Sequence, residues 1–218
     1  MGRVQAAIFD MDGLMVDTEG LYFRSESEVA RRYGKHFTKE VMEKMMGQKA
    51  VQSIRIMIET LGIEGSAKEI EALRDSLYQD LLIRGVEPMS GLFELLSWLE
   101  ANGYRKAVAT SSKPKFKDII FNHLGLHERF EAVVTGDEVS QGKPSPEIYQ
   151  IALSRLGLQP QETVVLEDSA VGLKAAKGAG CFCVVVPNHF TQNQDFSAAD
   201  LIVPNLSHEG IYRLFQEL

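Results

Sequence analysis

Four places in this 218-residue chain gather side chains suited to charged oxygen chemistry, three of them at the end of a short apolar run. Asp10-Met11-Asp12-Gly13 closes Ala6-Ala7-Ile8-Phe9, Thr110-Ser111-Ser112 closes Ala107-Val108-Ala109, and Glu167-Asp168-Ser169 closes Val164-Val165-Leu166. The fourth is Gly142-Lys143-Pro144-Ser145-Pro146. A carboxylate nucleophile, a second carboxyl beside it, a hydroxyl, a lysine and a further acidic pair are what phosphoryl transfer through an aspartyl phosphate needs. On this reading Asp10 attacks phosphorus. Asp12 protonates the leaving oxygen and then deprotonates the water that cleaves the acyl phosphate. A hard, oxygen-seeking cation suits the site, and Mg²⁺ fits, held by Asp10, the backbone carbonyl of Asp12 and Asp168, with Glu167 as ligand or support. Thr110, the backbone N–H groups from Ser111 onward and Lys143 would neutralise the phosphate, with Pro144 and Pro146 stiffening the loop that aims the lysine.

Each piece alone has a plainer meaning. Asp12-Gly13 is a common turn dipeptide, the Thr-Ser-Ser and Glu-Asp-Ser runs are ordinary helix caps, and a loop lysine is usually solvated. The recurrence of such groups at separate strand ends singles out one site, because ligands of open α/β sheets bind at the carboxyl ends of the strands.

The elements that must position these groups follow from periodicity. After Gly13 the pattern turns helical: Thr18 is placed to cap a helix to about Tyr33, stopped by Gly34, and segments near 39–46, 50–61 and 66–84 follow. Residues 16–86 therefore read as an all-helical insertion, with 1–15 and 87–218 forming the other domain. From Gly91 strands and helices alternate as βαβ units, which predicts a mostly parallel sheet covered on both faces. Met42, Met45 and Met46 read as core of the insertion, and residues 188–196 as surface loop.

Composition sets outer bounds. Hydrophobic residues make up 44% and charged ones 24%, as in ordinary globular proteins. A net charge of −7 argues against nucleic acid or an anionic membrane as partner, but not against a small anion in a locally positive site. Neither a secretory leader nor a membrane span is evident, so a cytoplasmic monomer is the expectation. Cys181 and Cys183 read as buried free thiols on one strand face.

In order and spacing, Asp10-x-Asp12-Gly13, Ala109-Thr110-Ser111, Gly142-Lys143-Pro144-x-Pro146 and Glu167-Asp168-Ser169 resemble the four motifs of the haloacid dehalogenase superfamily, and more narrowly its phosphatase and β-phosphoglucomutase branch. The resemblance implies a Rossmann-like core with a helical cap domain inserted after the first motif, and roles matching those above. Asp12 and Asp168 depart from true dehalogenases, which work without metal. β-Phosphoglucomutases carry a histidine where this chain has Tyr22, and a cap-loop arginine where Gly47-Gln48-Lys49-Ala50 offers only lysine. Met46 to Ala50 and Val186-Pro187-Asn188 are more similar to sugar-phosphate and pseudouridine-5′-phosphate phosphatases. Tyr22, Gln48 and Lys49 are the candidate substrate contacts. The expectation is a Mg²⁺-dependent phosphomonoester phosphatase acting on a small phosphorylated metabolite, with a phosphomutase or a non-catalytic sugar-phosphate-binding protein as alternatives.

Overall fold

The computed structural model describes residues 3–45 and 50–217. The chain divides into two compact units, residues 1–17 with 87–218 and residues 18–86.

The first unit is built on a six-stranded sheet in the order β3-β2-β1-β4-β5-β6, every neighbouring pair parallel. The strands are β1 (Ala6–Phe9), β2 (Arg105–Ala109), β3 (Ala132–Val134), β4 (Thr163–Glu167), β5 (Phe182–Val185) and β6 (Leu201–Ile202). The order runs outward from β1 in one direction and resumes beside it with β4, which puts the topological switch between β1 and β4. Register carries this to the residue level: Phe9 stands opposite both Val108 and Leu166, so the three strands end within one residue of one another. Helices cover both faces, as the apolar runs require. On one face Ala6, Ile8, Val165 and Cys183 pack with Ile148, Tyr149 and Leu153 of α7 (Glu147–Leu156) and Leu173 of α8 (Ala170–Gly178). On the other, Phe9 meets Phe130 edge-on at 5.8 Å, and α5 (Leu92–Ala101) packs against β2.

Several local expectations are corrected. The second strand begins at Arg105, two residues before the apolar run at Ala107, and the helix after it, α6 (Pro114–Leu124), has at its first position a proline, whose missing N–H is not needed there. Cys181 lies just before β5 rather than in it; both cysteines are buried and free. Residues 188–196 are not simple surface loop. Thr191 is fully buried, Phe196 joins the core, and Gln194 accepts the N–H of Ala170 at the start of α8.

The insertion leaves and re-enters the first unit through a short antiparallel neck, with Val16 bridging Pro88, Asp17 N donating to the Glu87 carbonyl and Met89 N to that of Met15. The second unit holds α1 (Glu19–Arg32), α2 (Lys39–Met45), α3 (Ala50–Leu61) and α4 (Ala67–Arg84), with α1 against α4 and α3 against both α2 and α4. Met42 and Met45 are buried in it, whereas Met46 lies outside the described residues. Ser66 caps α4 by accepting from Glu69 N. Thr18 stands at the N-cap of α1 without a side-chain cap bond, because its backbone is already helical (φ −96°, ψ −16°) and a cap needs an extended one.

Between α1 and α4 lies a buried polar ladder. Tyr22 stacks on Tyr78 with ring centroids 3.9 Å apart, and Arg74 donates to Glu26 at 3.1 Å and to Asp75 at 3.0 Å. Glu26 Oε2 is buried without a hydrogen-bond partner. Burial pushes the Glu26 carboxyl up to about 7, with Arg74 pulling the other way. The ordinary value is 4.5, so between that pH and about 7 the folded chain holds a proton that the unfolded chain has released. The site's contribution to stability is full below this window and lost as the pH rises through it. Glu26→Gln removes the titration. In urea unfolding followed from pH 4.5 to 8.5, the stability of E26Q relative to wild type should rise with pH by roughly 3 kcal/mol.

Candidate active site

Asp10 is the first residue past β1, and its N–H donates to the Leu166 carbonyl of β4 at 3.0 Å. It thus stands at the switch between the two strands, level with Glu167 at the tip of β4. Ligand oxygens of Asp10, Glu167 and Asp168 all lie within 4.8 Å of one another, and all three residues are buried. Lys143 enters this group from the loop before α7. Its Nζ donates to Asp10 Oδ1 and Glu167 Oε1, each at 2.6 Å, and to the Ala109 carbonyl at 3.3 Å. These occupy the three N–H donors of an ammonium. The loop is braced from behind, where the Glu147 carboxylate accepts from Ser140 N and Gln141 N at 2.8 Å each.

The charge balance there is uneven. If all three carboxylates are ionised, the one ammonium leaves an excess of two negative charges, and buried charge is tolerated only when neutralised. Burial pushes the Asp10 carboxyl up to about 8; Lys143 opposes this, and the carboxylates of Glu167 and Asp12 reinforce it. Burial pulls the Lys143 ammonium down, but Asp10 and Glu167 outweigh it and hold Lys143 above the usual lysine range. A divalent cation matches the deficit in charge, and an all-oxygen donor set suits a hard ion. The acidic cluster can therefore coordinate a divalent metal.

Glu167 is the most restrained of the three. Tyr149 donates to Oε1 at 2.5 Å beside Lys143, while Oε2 accepts from Asp168 N, Ser169 N and Ser169 Oγ at 3.1 to 3.3 Å. A Cβ on Gly172 would overlap this carboxylate, so the first turn of α8 comes this close only with glycine there. Burial, reinforced by Glu167, pushes the Tyr149 phenol well above its usual range, so it stays a hydrogen-bond donor.

Asp12 is half-buried, and its carboxylate is held by hydroxyl donors rather than by Lys143. Its Oδ2 accepts from Thr110 Oγ1 at 3.0 Å and Ser112 Oγ at 2.7 Å. The Thr110 hydroxyl in turn accepts from Ser112 N, a local turn that fixes the tip of β2. Ser111 lies between them and is exposed. Gly13 turns the chain at φ +81°, and a Cβ there would come within 2.6 Å of Asp168 Oδ2.

The fold thus gathers Asp10, Asp12, Thr110, Ser111, Lys143, Glu167 and Asp168 at one edge of the sheet. Tyr22 lies in the second unit, packed on Tyr78, and Gln48 and Lys49 lie outside the described residues. Ser112, Tyr149 and Asn188 were not among the expected site residues, although Asn188 donates to Asp168 Oδ2 at 2.7 Å. Ser112 belongs to the Thr110-Ser111-Ser112 run; Tyr149 sits inside an ordinary amphipathic helix and gives no local signal.

A family model described as haloacid dehalogenase-like hydrolase matches residues 7–186. The chain belongs to that family. Among curated members it is 36% identical over 181 residues to a phosphorylated carbohydrates phosphatase of Thermotoga maritima, covering 81% of this chain and 82% of that one. It is 35% identical over 213 residues to (DL)-glycerol-3-phosphatase 2 of Arabidopsis thaliana, covering 94% and 88%. Among solved structures, a variant of CbbY from Rhodobacter sphaeroides in complex with xylulose-(1,5)bisphosphate superposes with a TM-score of 0.87 at 28% identity, covering 95% of this chain and 96% of that one. This haloacid dehalogenase-like hydrolase is a phosphatase or phosphomutase that acts through an aspartyl phosphate on a small phosphorylated metabolite.

Removing the ammonium should expose the charge imbalance. Lys143→Met is expected to lower the stability of the metal-free protein by about 3–5 kcal/mol near pH 8, the cost of stranding buried carboxylates. The loss should shrink toward pH 5, where Asp10 holds a proton; urea unfolding in EDTA at both pH values reads it.

Proposed function

We propose that the chain is a Mg²⁺-dependent phosphomonoester phosphatase whose substrates are small sugar or polyol phosphates. The observation that carries this reading is the pairing of two differently held carboxylates. Asp10 is buried against Lys143 in a cluster short of positive charge, while Asp12 is half-buried and held by two hydroxyls. One acid is placed to bond phosphorus, the other to move a proton.

In the first half-reaction a carboxylate oxygen of Asp10 attacks phosphorus, the bond to the ester oxygen breaks, and Asp12 gives that oxygen its proton. In the second, Asp12 takes a proton from water, whose oxygen attacks phosphorus and releases inorganic phosphate and free Asp10. Asp10, Asp168 and the Asp12 backbone carbonyl would hold Mg²⁺, with Glu167 as ligand or support, and the ion would screen the phosphate from the carboxylates. Lys143 adds a fixed positive charge beside the nucleophile. Its longest contact, to the Ala109 carbonyl, is the one that a phosphate oxygen can replace. The Thr110 hydroxyl and the N–H groups after it complete the neutralisation.

The named activities of the relatives support a polyol or sugar phosphate, as does a xylulose bisphosphate in the similar CbbY variant. Tyr22, Gln48 and Lys49 are our candidates for reading the leaving group. Tyrosine in place of a histidine, and lysine in place of an arginine, support hydrolysis over a mutase. Two buried free thiols suit the reducing cytoplasm, where we place the protein.

Purified protein with Mg²⁺ should hydrolyse p-nitrophenyl phosphate, and Asp10→Asn should reduce turnover to background; wild type inactive across pH and metals would defeat the proposal. Asp12→Asn should keep substrate binding but lower kcat by roughly 10²–10⁴. With β-glucose 1-phosphate the expected product is inorganic phosphate, and accumulation of glucose 6-phosphate would establish a mutase instead.

A further inference from the structure

The stretch from Asn188 to Phe196 belongs to none of the four motifs, yet its first residue reaches the acidic centre. Asn188 Nδ2 donates to Asp168 Oδ2 at 2.7 Å and to the Gly13 carbonyl at 3.1 Å. Its Oδ1 accepts from Phe190 N at 2.8 Å and Thr191 N at 3.2 Å. Two acceptors on one side and two donors on the other fix which end of the amide is nitrogen. An isosteric aspartate would instead face the Asp168 carboxylate with a like charge.

The placement matters more than the number of bonds. Gly13 belongs to the turn after β1 and Asp168 directly follows β4, so one amide ties together the two strand ends on either side of the sheet's switch point. The fit is close: a Cβ on Gly13 would lie 2.6 Å from Asp168 Oδ2 and 2.7 Å from Asn188 Nδ2. The loop beyond is anchored independently, with Thr191 fully buried and its hydroxyl accepting from Asn188 N at 3.0 Å. The amide is thus presented from a fixed support.

We infer that Asn188 is a positioning residue for the divalent metal: it holds the Asp168 carboxylate in the orientation that groups it with Asp10 and Glu167, without itself reaching the ion. This rests on the metal-dependent reading proposed above. A carboxylate on a short side chain turns freely about two bonds, and ordering it costs free energy when a cation binds. Asn188 imposes that order beforehand, as outer hydrogen-bond partners of metal ligands do elsewhere.

Mn²⁺ binding to the full chain, followed by the EPR signal of the free ion, tests this without turnover. Asn188→Ser leaves a hydroxyl that can accept from the Phe190 N–H but cannot donate to Asp168 and Gly13 together. It should raise the Mn²⁺ dissociation constant roughly 10- to 100-fold. Asn188→Ala should do the same and serves as a second variant. Thr191→Val removes only the hydroxyl that anchors the loop, and should bind Mn²⁺ within threefold of wild type, with a metal-free urea midpoint close to that of N188S. A change below fivefold in both Asn188 variants, or an equal loss in T191V, overturns the inference while leaving the metal reading intact. Wild type that binds no Mn²⁺ overturns both.

Discussion

An ionised carboxylate deep in a protein must find positive charge or take up a proton, and this molecule places three of them together with one lysine. The rest of the catalytic edge is arranged around that imbalance. Lys143 bridges two acids from a braced loop, Tyr149 adds a neutral donor under Glu167, and backbone and hydroxyl groups of the following turn take up the other Glu167 oxygen. No apolar replacement would leave this network intact, since loss of any donor strands an acceptor. The residual negative charge makes the edge receptive to a small, doubly charged cation.

Holding such a cluster requires a rigid support, and the central sheet supplies one. The strands that end at Phe9, Ala109 and Glu167 are neighbours in register, and their Ala, Val, Ile, Leu and Phe side chains are fully buried. The side chains that would react project from residues at or just past the ends of hydrogen-bonded strands, so their positions are set by the core rather than by mobile loops. Cation and nucleophile geometry depend on sub-ångström placement, and a packed interior resists such displacement.

The parts of this arrangement legible in the sequence were those written locally. An apolar run that stops at an acid announces a strand tip, so Asp10, Asp12, Thr110, Glu167 and Asp168 could be singled out by position alone, and the alternation of runs with helical patterns gave the parallel sheet. Lys143 was legible only through its Gly-Lys-Pro surroundings. Tyr149 was not legible because it sits inside an ordinary amphipathic helix; the contact Asn188 makes was not, although Val186-Pro187-Asn188 stood out, because Asn188 and Gly13 are 175 residues apart. Element ends were misread by a residue or two where propensity is silent, as at Arg105, and the Thr18 cap failed because the backbone there had already turned helical.

The short neck at Met15–Asp17 and Glu87–Met89 has a wider consequence. It closes the chain on itself before the helical segment begins and after it ends, so the sheet sees the same pair of anchored ends whatever lies between them. The entropy lost in closing a loop grows only with the logarithm of its length. The intervening helices can therefore be exchanged, lengthened or reshaped at little thermodynamic cost, and one reaction engine can be fitted to many different molecules by swapping what hangs from a single seam.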